Sequence, residues 1–298
     1  MSKSKPSQGI SIAVASGKGG TGKTMIATSL ATALSSSKKV NFIDCDVEAP
    51  NGHLFLEPKI SQSNPAVIMI PEIDQEICIA CGKCVQACMF NALALLQESI
   101  LVFHQLCHGC GSCTLVCPVD AITEKPNPIG VINQGMVKNS IQFLMGELTI
   151  SEPMPTPIIR QTKNLIKNKP GITILDSPPD ASCAVVATVH DADFVILVTE
   201  PTPFGLHDLK QMVGVLSETG TPAGVIINRD GIGDHSVETY LKDKPYPILM
   251  KIPYRSEIAV GLASGGILVN FMPIYQQKFC DLYLKILTIL DSKIEEMC

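Results

Sequence analysis

The chain has 298 residues, of which 46% are hydrophobic and 17% charged, and its formal net charge is −5. That balance excludes a disordered chain and leaves no block of basic residues for a broad nucleic-acid footprint. The length suits one large α/β domain, or a moderate one carrying a small module. Residues 1–8 are a short polar stretch without the apolar core of a secretion signal. No later apolar run is long enough to span a bilayer, so a cytoplasmic location is expected and a membrane partner is not. Twelve cysteines are many for a compartment in which thiols stay reduced. Eight of them lie between Cys78 and Cys117 at regular spacing, which favours metal ligation over a disulfide framework.

The first predicted strand, Ile10–Ala15, ends in a glycine-rich loop, Ser16–Thr24, and a helix of small residues follows over 23–36. A second strand is expected at Val40–Asp44. From Pro58 to Pro128 the character changes. This stretch holds the clustered cysteines and short strand-like runs at Ala66–Ile70 and Ser99–Phe103. Proline and asparagine punctuate its edges (Asn64, Pro65; Pro126, Asn127, Pro128), as in an insertion. Beyond it, apolar strands at Ile172–Leu175, Phe194–Thr199, Ala223–Asn228 and Ile248–Ile252 alternate with helices near 156–168, 205–218, 235–243 and 256–264. Continuously apolar strands fit a parallel sheet covered on both faces, and their alternation with helices implies a doubly wound, mostly parallel α/β fold. Ile274–Met297 carries apolar residues at helical spacing, ends in Glu295 and Glu296, and is expected to pack on the sheet.

Gly17-Lys18-Gly19-Gly20-Thr21-Gly22-Lys23-Thr24 fits G-x-x-x-x-G-K-[ST] between a strand and a helix, the context a phosphate-binding loop requires. The glycines let backbone N–H groups crowd around phosphates, and the helix N-terminus adds positive potential. Lys23 is placed to contact the β- and γ-phosphates of ATP or ADP, and the Thr24 hydroxyl to ligate Mg²⁺.

Cys78-x₂-Cys81-x₂-Cys84-x₃-Cys88 and Cys107-x₂-Cys110-x₂-Cys113-x₃-Cys117-Pro118 are two copies of the bacterial ferredoxin pattern. In that pattern three close thiolates wrap one cubane and the fourth ligates the other. The spacing therefore predicts two [4Fe–4S] clusters, one on Cys78, Cys81, Cys84 and Cys117, the other on Cys88, Cys107, Cys110 and Cys113. Zinc would take four ligands per ion, usually from two separated C-x₂-C pairs, which tandem triplets do not match. The first run ends Cys88-Met89 where Cys-Pro is usual.

Lys18-Gly-Gly-x-Gly-Lys23-Thr24 resembles the deviant Walker A motif of the MinD/ParA/nitrogenase-iron-protein group of dimerising ATPases. The whole pattern resembles MinD/Mrp-superfamily P-loop ATPases with an inserted ferredoxin domain. Residues 1–57 and 129–298 are expected to form the P-loop NTPase domain. Residues 58–128 are expected to form a small α+β, bacterial-ferredoxin-like insert. The resemblance implies that Lys18 reaches across a dimer to the partner's nucleotide. Asp44-Cys-Asp46-Val-Glu-Ala-Pro-Asn51 resembles switch I, which makes Asp46 the residue positioning the attacking water and puts Asp44 near the metal. Asp176, ending Ile174-Leu175-Asp176, becomes the Walker B aspartate supporting Mg²⁺. Asp180 stands where related families often have glycine. Asn228-Arg229 resembles the segment that reads adenine, Ile252-Pro253-Tyr254 the base-flanking loop, and Glu200-Pro-Thr-Pro203 a loop lining the site.

Cys183, seven residues after Asp176, resembles the switch II cysteine with which the nitrogenase iron protein holds a cluster between subunits; a plain structural thiol is the alternative. Cys45, Cys280 and Cys298 read as small apolar residues or a free terminal thiol. The resemblance implies a homodimer, or a heterodimer with a related ATPase. Nucleotide-driven changes would be coupled to low-potential electron transfer to a redox partner. Assembly and delivery of clusters to an apo-protein partner is the alternative. A spatial organiser on DNA or membrane is disfavoured by the acidic charge and the eight clustered cysteines.

Overall fold

In a computed structural model, which describes residues 9–138, 140–167 and 169–296, the first half of the chain runs as follows. Strand β1 (Ile10–Ala15) feeds helix α1 (Lys23–Ser35) and strand β2 (Val40–Asp44), which is buried at every position. A short helix α2 (Gly52–Leu56) leads into the long strand β3 (Lys59–Ile73). Next come α3 (Lys83–Ala87), β4 (Leu93–Leu96), β5 (Ser99–Val102) and α4 (Ser112–Leu115), and the chain returns in β6 (Ile122–Val137) and β7 (Ile141–Leu148). The polar stretch 1–8, Met297 and Cys298 lie outside the described residues.

The second half alternates regularly. It runs α5 (Thr156–Asn164), β8 (Ile172–Asp176), α6 (Cys183–Val189), β9 (Phe194–Thr199) and α7 (Pro203–Thr219). It closes with β10 (Ala223–Asp230), α8 (Ser236–Leu241), β11 (Ile248–Pro253), α9 (Ser256–Ala263), α10 (Leu268–Phe271) and α11 (Ile274–Glu296). Each boundary has a local cause where caps are visible. Thr202 accepts a hydrogen bond from the Gly205 amide and Pro203 opens α7, while Gly220, at φ 66°, ends it.

The strands form one sheet in the order β11-β10-β9-β1-β8-β2-β7-β6-β3. The stretch from β11 to β7 is parallel; β6 and β3 join it antiparallel. Alternate side chains feed two cores. On one face Ile12 and Val14 pack with Ile26 and Leu30 of α1 and with Phe279 and Leu282 of α11, so the C-terminal helix packs against the body as expected. On the other face Ala13 and Ala15 pack with Ile158 of α5, Val185 of α6 and Leu209 of α7. Phe42 and Phe143, register partners on β2 and β7, stack at 5.7 Å between ring centroids.

The antiparallel edge differs from the expected reading. Pro65, Pro126 and Pro128 do not interrupt the chain but lie inside β3 and β6. β6 pairs with β7 only over Gly130–Val137, whereas its pairing with β3 continues out to Ile73↔Ile122. Residues 67–73 and 122–128 therefore leave the sheet as a two-stranded ribbon with no second paired strand among the described residues. Strands of that kind tolerate proline, because the missing N–H takes nothing from a ladder. Helix α5 also stops at Asn164, short of the expected 168.

Between the two strands of the ribbon, residues 74–121 form a small unit that folds back along it: Ala92 and Cys107 share a core with Ile68 and Ile70, and Gly109 lies against Ile68 and Met69. In its core Leu93, Ile100 and Ile122 pack against Cys84 and Cys113.

Candidate functional site

The phosphate loop takes its shape from glycines. Gly22 sits at φ 99° as the N-cap of α1, and a Cβ there would come within 2.5 Å of Asn228 Nδ2. Gly17 packs so closely on Asp208 that a Cβ would fall 2.5 Å from its carbonyl oxygen. Lys23 is buried, and its Nζ donates to Ser16 Oγ at 3.0 Å and to the Lys18 carbonyl at 3.2 Å. Burial pulls the Lys23 ammonium below its usual pKa, opposed by the charges of Asp176, Asp46 and Asp180. A cation with so few local partners is held ready for an anion.

Three aspartates face this loop from the carboxyl edge of the sheet. Asp44 is fully buried; its Oδ1 accepts from the Asp46 amide at 3.1 Å, and its Oδ2 from the Asn51 and Gly52 amides at 3.0 and 2.8 Å. Those three donors favour the carboxylate, but burial outweighs them and pushes the pKa up to about 7. Asp44 thus folds the 46–52 loop back on itself, and both its oxygens are engaged. Asp176 is the opposite case. Both of its oxygens are buried with no hydrogen-bond partner among the described residues. Burial and the neighbouring Asp44 raise its pKa well above the usual range; Lys23 and the nearby Thr24 hydroxyl, which is short of full hydrogen-bond geometry, oppose the rise. Asp46 lies on the cavity wall, and burial raises its pKa too.

The cavity is about 340 Å³ and is lined by Gly19, Gly20, Gly22, Lys23, Thr24, Asp46, Asn228, Arg229 and Pro253. Asn228 braces the loop, since its Nδ2 donates to the Thr21 carbonyl at 2.7 Å. Arg229 Nη1 donates to Glu200 Oε1 at 2.7 Å, and its Nη2 to the Gly20 carbonyl at 3.3 Å. The Lys18 ammonium lies 3.9 Å from the other oxygen of Glu200, a buried carboxylate. Phe55, Tyr254, Ile258 and Leu262 complete an apolar wall. Sequence reasoning reached only Tyr254 of these, because the others belong to helices whose apolar positions look like ordinary core. Cys183 is exposed at the start of α6, whereas Cys45 is buried, and that burial pushes its thiol up to about 12.

The cysteine unit is internally repeated with an offset of 29 residues, Cys78 to Cys107. Gly82 and Gly111, both at φ 71°, open α3 and α4; Asn91 and Asp120 share φ near 53° and 52°. The Ala92 amide donates to Cys88 Sγ and the Ala121 amide to Cys117 Sγ, each at 3.3 Å. The structure brings Cys78, Cys81, Cys84 and Cys117 around one cavity and Cys88, Cys107, Cys110 and Cys113 around another. Among the described residues, no three His, Cys, Asp or Glu side chains converge on a single ion position.

A doubly wound sheet with a strand–glycine loop–helix at its carboxyl edge, beside an orphaned strand-end aspartate, defines a P-loop nucleotide-binding protein. The chain belongs to the family of the CobQ/CobB/MinD/ParA nucleotide binding domain, whose profile matches residues 12–268. It is an ATP-binding ATPase of the MinD/ParA type.

An uncharacterized protein of Methanocaldococcus jannaschii is 32% identical over 277 residues, covering 92% of this chain and 95% of that one. An uncharacterized ATP-binding protein of the same organism is 25% identical over 273 residues, 89% of this chain and 81% of its own. Among solved structures, the septum site-determining protein MinD of Pyrococcus horikoshii, complexed with Mg-ADP, superposes with a TM-score of 0.57 at 20% identity, covering 92% and 93% of the two chains. A Cyanothece McdA–ATP complex gives 0.58 at 18% identity, with 95% and 98% covered. These two structures share the fold. No helix among the described residues is long and apolar enough to cross a membrane.

Proposed function

We propose that this ATPase is also an iron–sulfur protein, in which nucleotide state at the P-loop governs low-potential electron transfer from two [4Fe–4S] clusters to a partner protein. The observation that carries this reading is the pair of cysteine-lined cavities, one at the end and one along the side of a ribbon rooted in the ATPase sheet. A tetrahedral zinc with Zn–S near 2.3 Å would hold its thiolates about 3.8 Å apart on one point. Four cysteines spread around each cavity, three from one run and the fourth from the other, follow the ligand pattern of a polynuclear cluster. Such clusters supply one-electron chemistry at low potential. The chain's part is to hold them: the Ala92 and Ala121 amides point at ligand sulfurs, and the left-handed turns at Gly82 and Gly111 wrap the backbone around them.

At the nucleotide, Lys23 and the loop amides would bind the phosphates, and Thr24 and Asp176 would hold Mg²⁺, which neutralises phosphate charge during transfer. The two orphaned oxygens of Asp176 suit that task. Asp44, with both oxygens engaged, would shape the loop that carries Asp46 to the attacking water. Lys18, half-exposed beside Glu200, would turn to the nucleotide of a second subunit in a homodimer or a related heterodimer.

Delivery of clusters to an apo-protein is the second reading, and the exposure of Cys81 and Cys110, one in each set, favours it. Pre-reduced protein mixed with an acceptor separates the two. ATP-dependent reoxidation without loss of iron supports electron transfer; movement of iron and sulfide into the apo-protein supports delivery. If nucleotide changes neither rate nor potential, the gating reading is wrong.

A further inference from the structure

We infer that α5 is the mechanical link between the nucleotide switches and the cysteine-bearing ribbon, through Gln161 on one side and Lys163 on the other. The inference rests on the reading of the nucleotide site and the cysteine unit as one device, and it names the part that joins them.

Two residues apart on a helix, side chains point to nearly opposite sides. Gln161 faces the ribbon. Its Oε1 accepts from the Val67 amide at 3.2 Å and its Nε2 donates to the Val67 carbonyl at 2.9 Å, so one side chain replaces a strand neighbour. The position matters, because the β3–β6 register shifts between Ala66 and Val67, and Gly130, paired with Ala66, is the last residue of β6 to pair with β7. Gln161 therefore grips the ribbon at its root, where it leaves the sheet.

Lys163 faces the other way. Its Nζ donates to the carbonyls of Ala187 and Thr188 at 2.8 Å each and to that of His190 at 2.6 Å. All three ammonium donors are thus engaged on the C-terminal carbonyls of α6, the end of a helix where orphan carbonyls and the dipole favour a cation. α6 is the helix that directly follows the Asp176–Ser182 segment of the nucleotide site.

Between these two grips α5 is seated without slack. Ile158 packs on Gly130, where β6 joins the sheet at the ribbon's root, and on Gly146 of β7, and a Cβ at either glycine would overlap it. Gly146 also abuts Val47, in the loop shaped by Asp44, and the Val47 carbonyl accepts from the Leu148 amide at 2.8 Å. A shift of α6 or of the Val47 loop must move α5 or break these contacts, and a shift of α5 turns the ribbon's root.

Hydrogen exchange on the full chain, with and without Mg²⁺ and a non-hydrolysable ATP analogue, reads the link directly. In the wild type the nucleotide should slow amides at the P-loop and also at residues 67–73 and 122–130, the latter by about 5- to 150-fold, the usual span of a coupling between sites. In Gln161→Leu and in Lys163→Met the P-loop response should remain while the ribbon response falls below about twofold. Lys163→Arg, which keeps donors at the same carbonyls, should retain it. Each variant cuts one end of the link, so either one decides the matter if the other does not fold. A ribbon response undiminished in the variants overturns the inference. So does a wild type whose P-loop responds while its ribbon does not, which leaves the nucleotide reading intact. Absence of any P-loop response overturns both.

Discussion

Asp44 and Asp176 end neighbouring parallel strands as register partners, yet only Asp44 has its carboxylate satisfied by the chain itself. Both carboxyls bind protons more tightly folded than unfolded, since burial raises their pKa values. The nucleotide-free protein should therefore lose stability as pH rises from about 4 toward 7, the interval between the ordinary and the raised value of Asp44. Bound Mg²⁺ and ADP favour the ionised forms and should flatten this slope. Urea denaturation at pH 5 and pH 7.5, with and without Mg-ADP, measures both effects. Asp176→Asn should weaken the nucleotide-free slope; an unaltered slope would remove Asp176 from the account.

Asn228 stands behind the P-loop. Its Nδ2–Thr21 bond crosses from one strand end to the phosphate loop in a buried setting. Asn228→Ala leaves a buried carbonyl without its donor, at about 1–3 kcal/mol. The loosened loop should bind ADP roughly tenfold more weakly, which corresponds to about 1.4 kcal/mol. Calorimetric titration with ADP tests this, and unchanged affinity would show that the brace has no bearing on binding.

Glu200 is a buried carboxylate whose near partner is Arg229, with Lys18 further off at 3.9 Å. Arg229→Ala strands that charge. Because the guanidinium is half-exposed, the cost should be about 1–3 kcal/mol, below that of breaking a fully buried pair. Adding Glu200→Gln should recover most of the loss. Thermal denaturation of the single and double variants decides; a double variant as unstable as Arg229→Ala would refute the pairing as the cause.

The cysteine sets make a prediction of their own. Cys84→Ala and Cys113→Ala, one from each set, should each remove about half of the bound iron if each set holds one cubane. Lys23→Ala should abolish ATP hydrolysis and leave the iron content near the wild-type value. Cys183→Ser should lower iron per dimer only if that exposed thiol bridges subunits. Iron and sulfide assays on the purified proteins suffice. Loss of iron in Lys23→Ala would mean that the two sites do not stand apart.

The parallel half of the fold was legible because its strands are apolar throughout: β1, β2 and β9 have the bounds that their sequences suggest. The P-loop was legible because its residue types have few other uses in that order. The antiparallel edge was hidden, since Pro126, Asn127 and Pro128 signal a break unless one knows that the strand carrying them has a free side there. Nor does the sequence tell that Asp44 serves its own loop, because three backbone amides do not appear in a pattern of side chains. Gln161 and Lys163 were silent for a similar reason: their partners are main-chain atoms far away in sequence.

The free ribbon runs from Val67 to Ile73 on one strand, roughly 24 Å at about 3.4 Å per residue. If α5 turns its root through Gln161, the ribbon would act as a lever arm with its fulcrum at Val67. A turn of about 10° at the root would carry the tip about 4 Å over that length. The first cysteine set, at Ile73 and Ile122, would sit where such a movement is largest, while the second, against Met69 and Pro71, would move less, so one rearrangement around a phosphate would displace the two sets unequally.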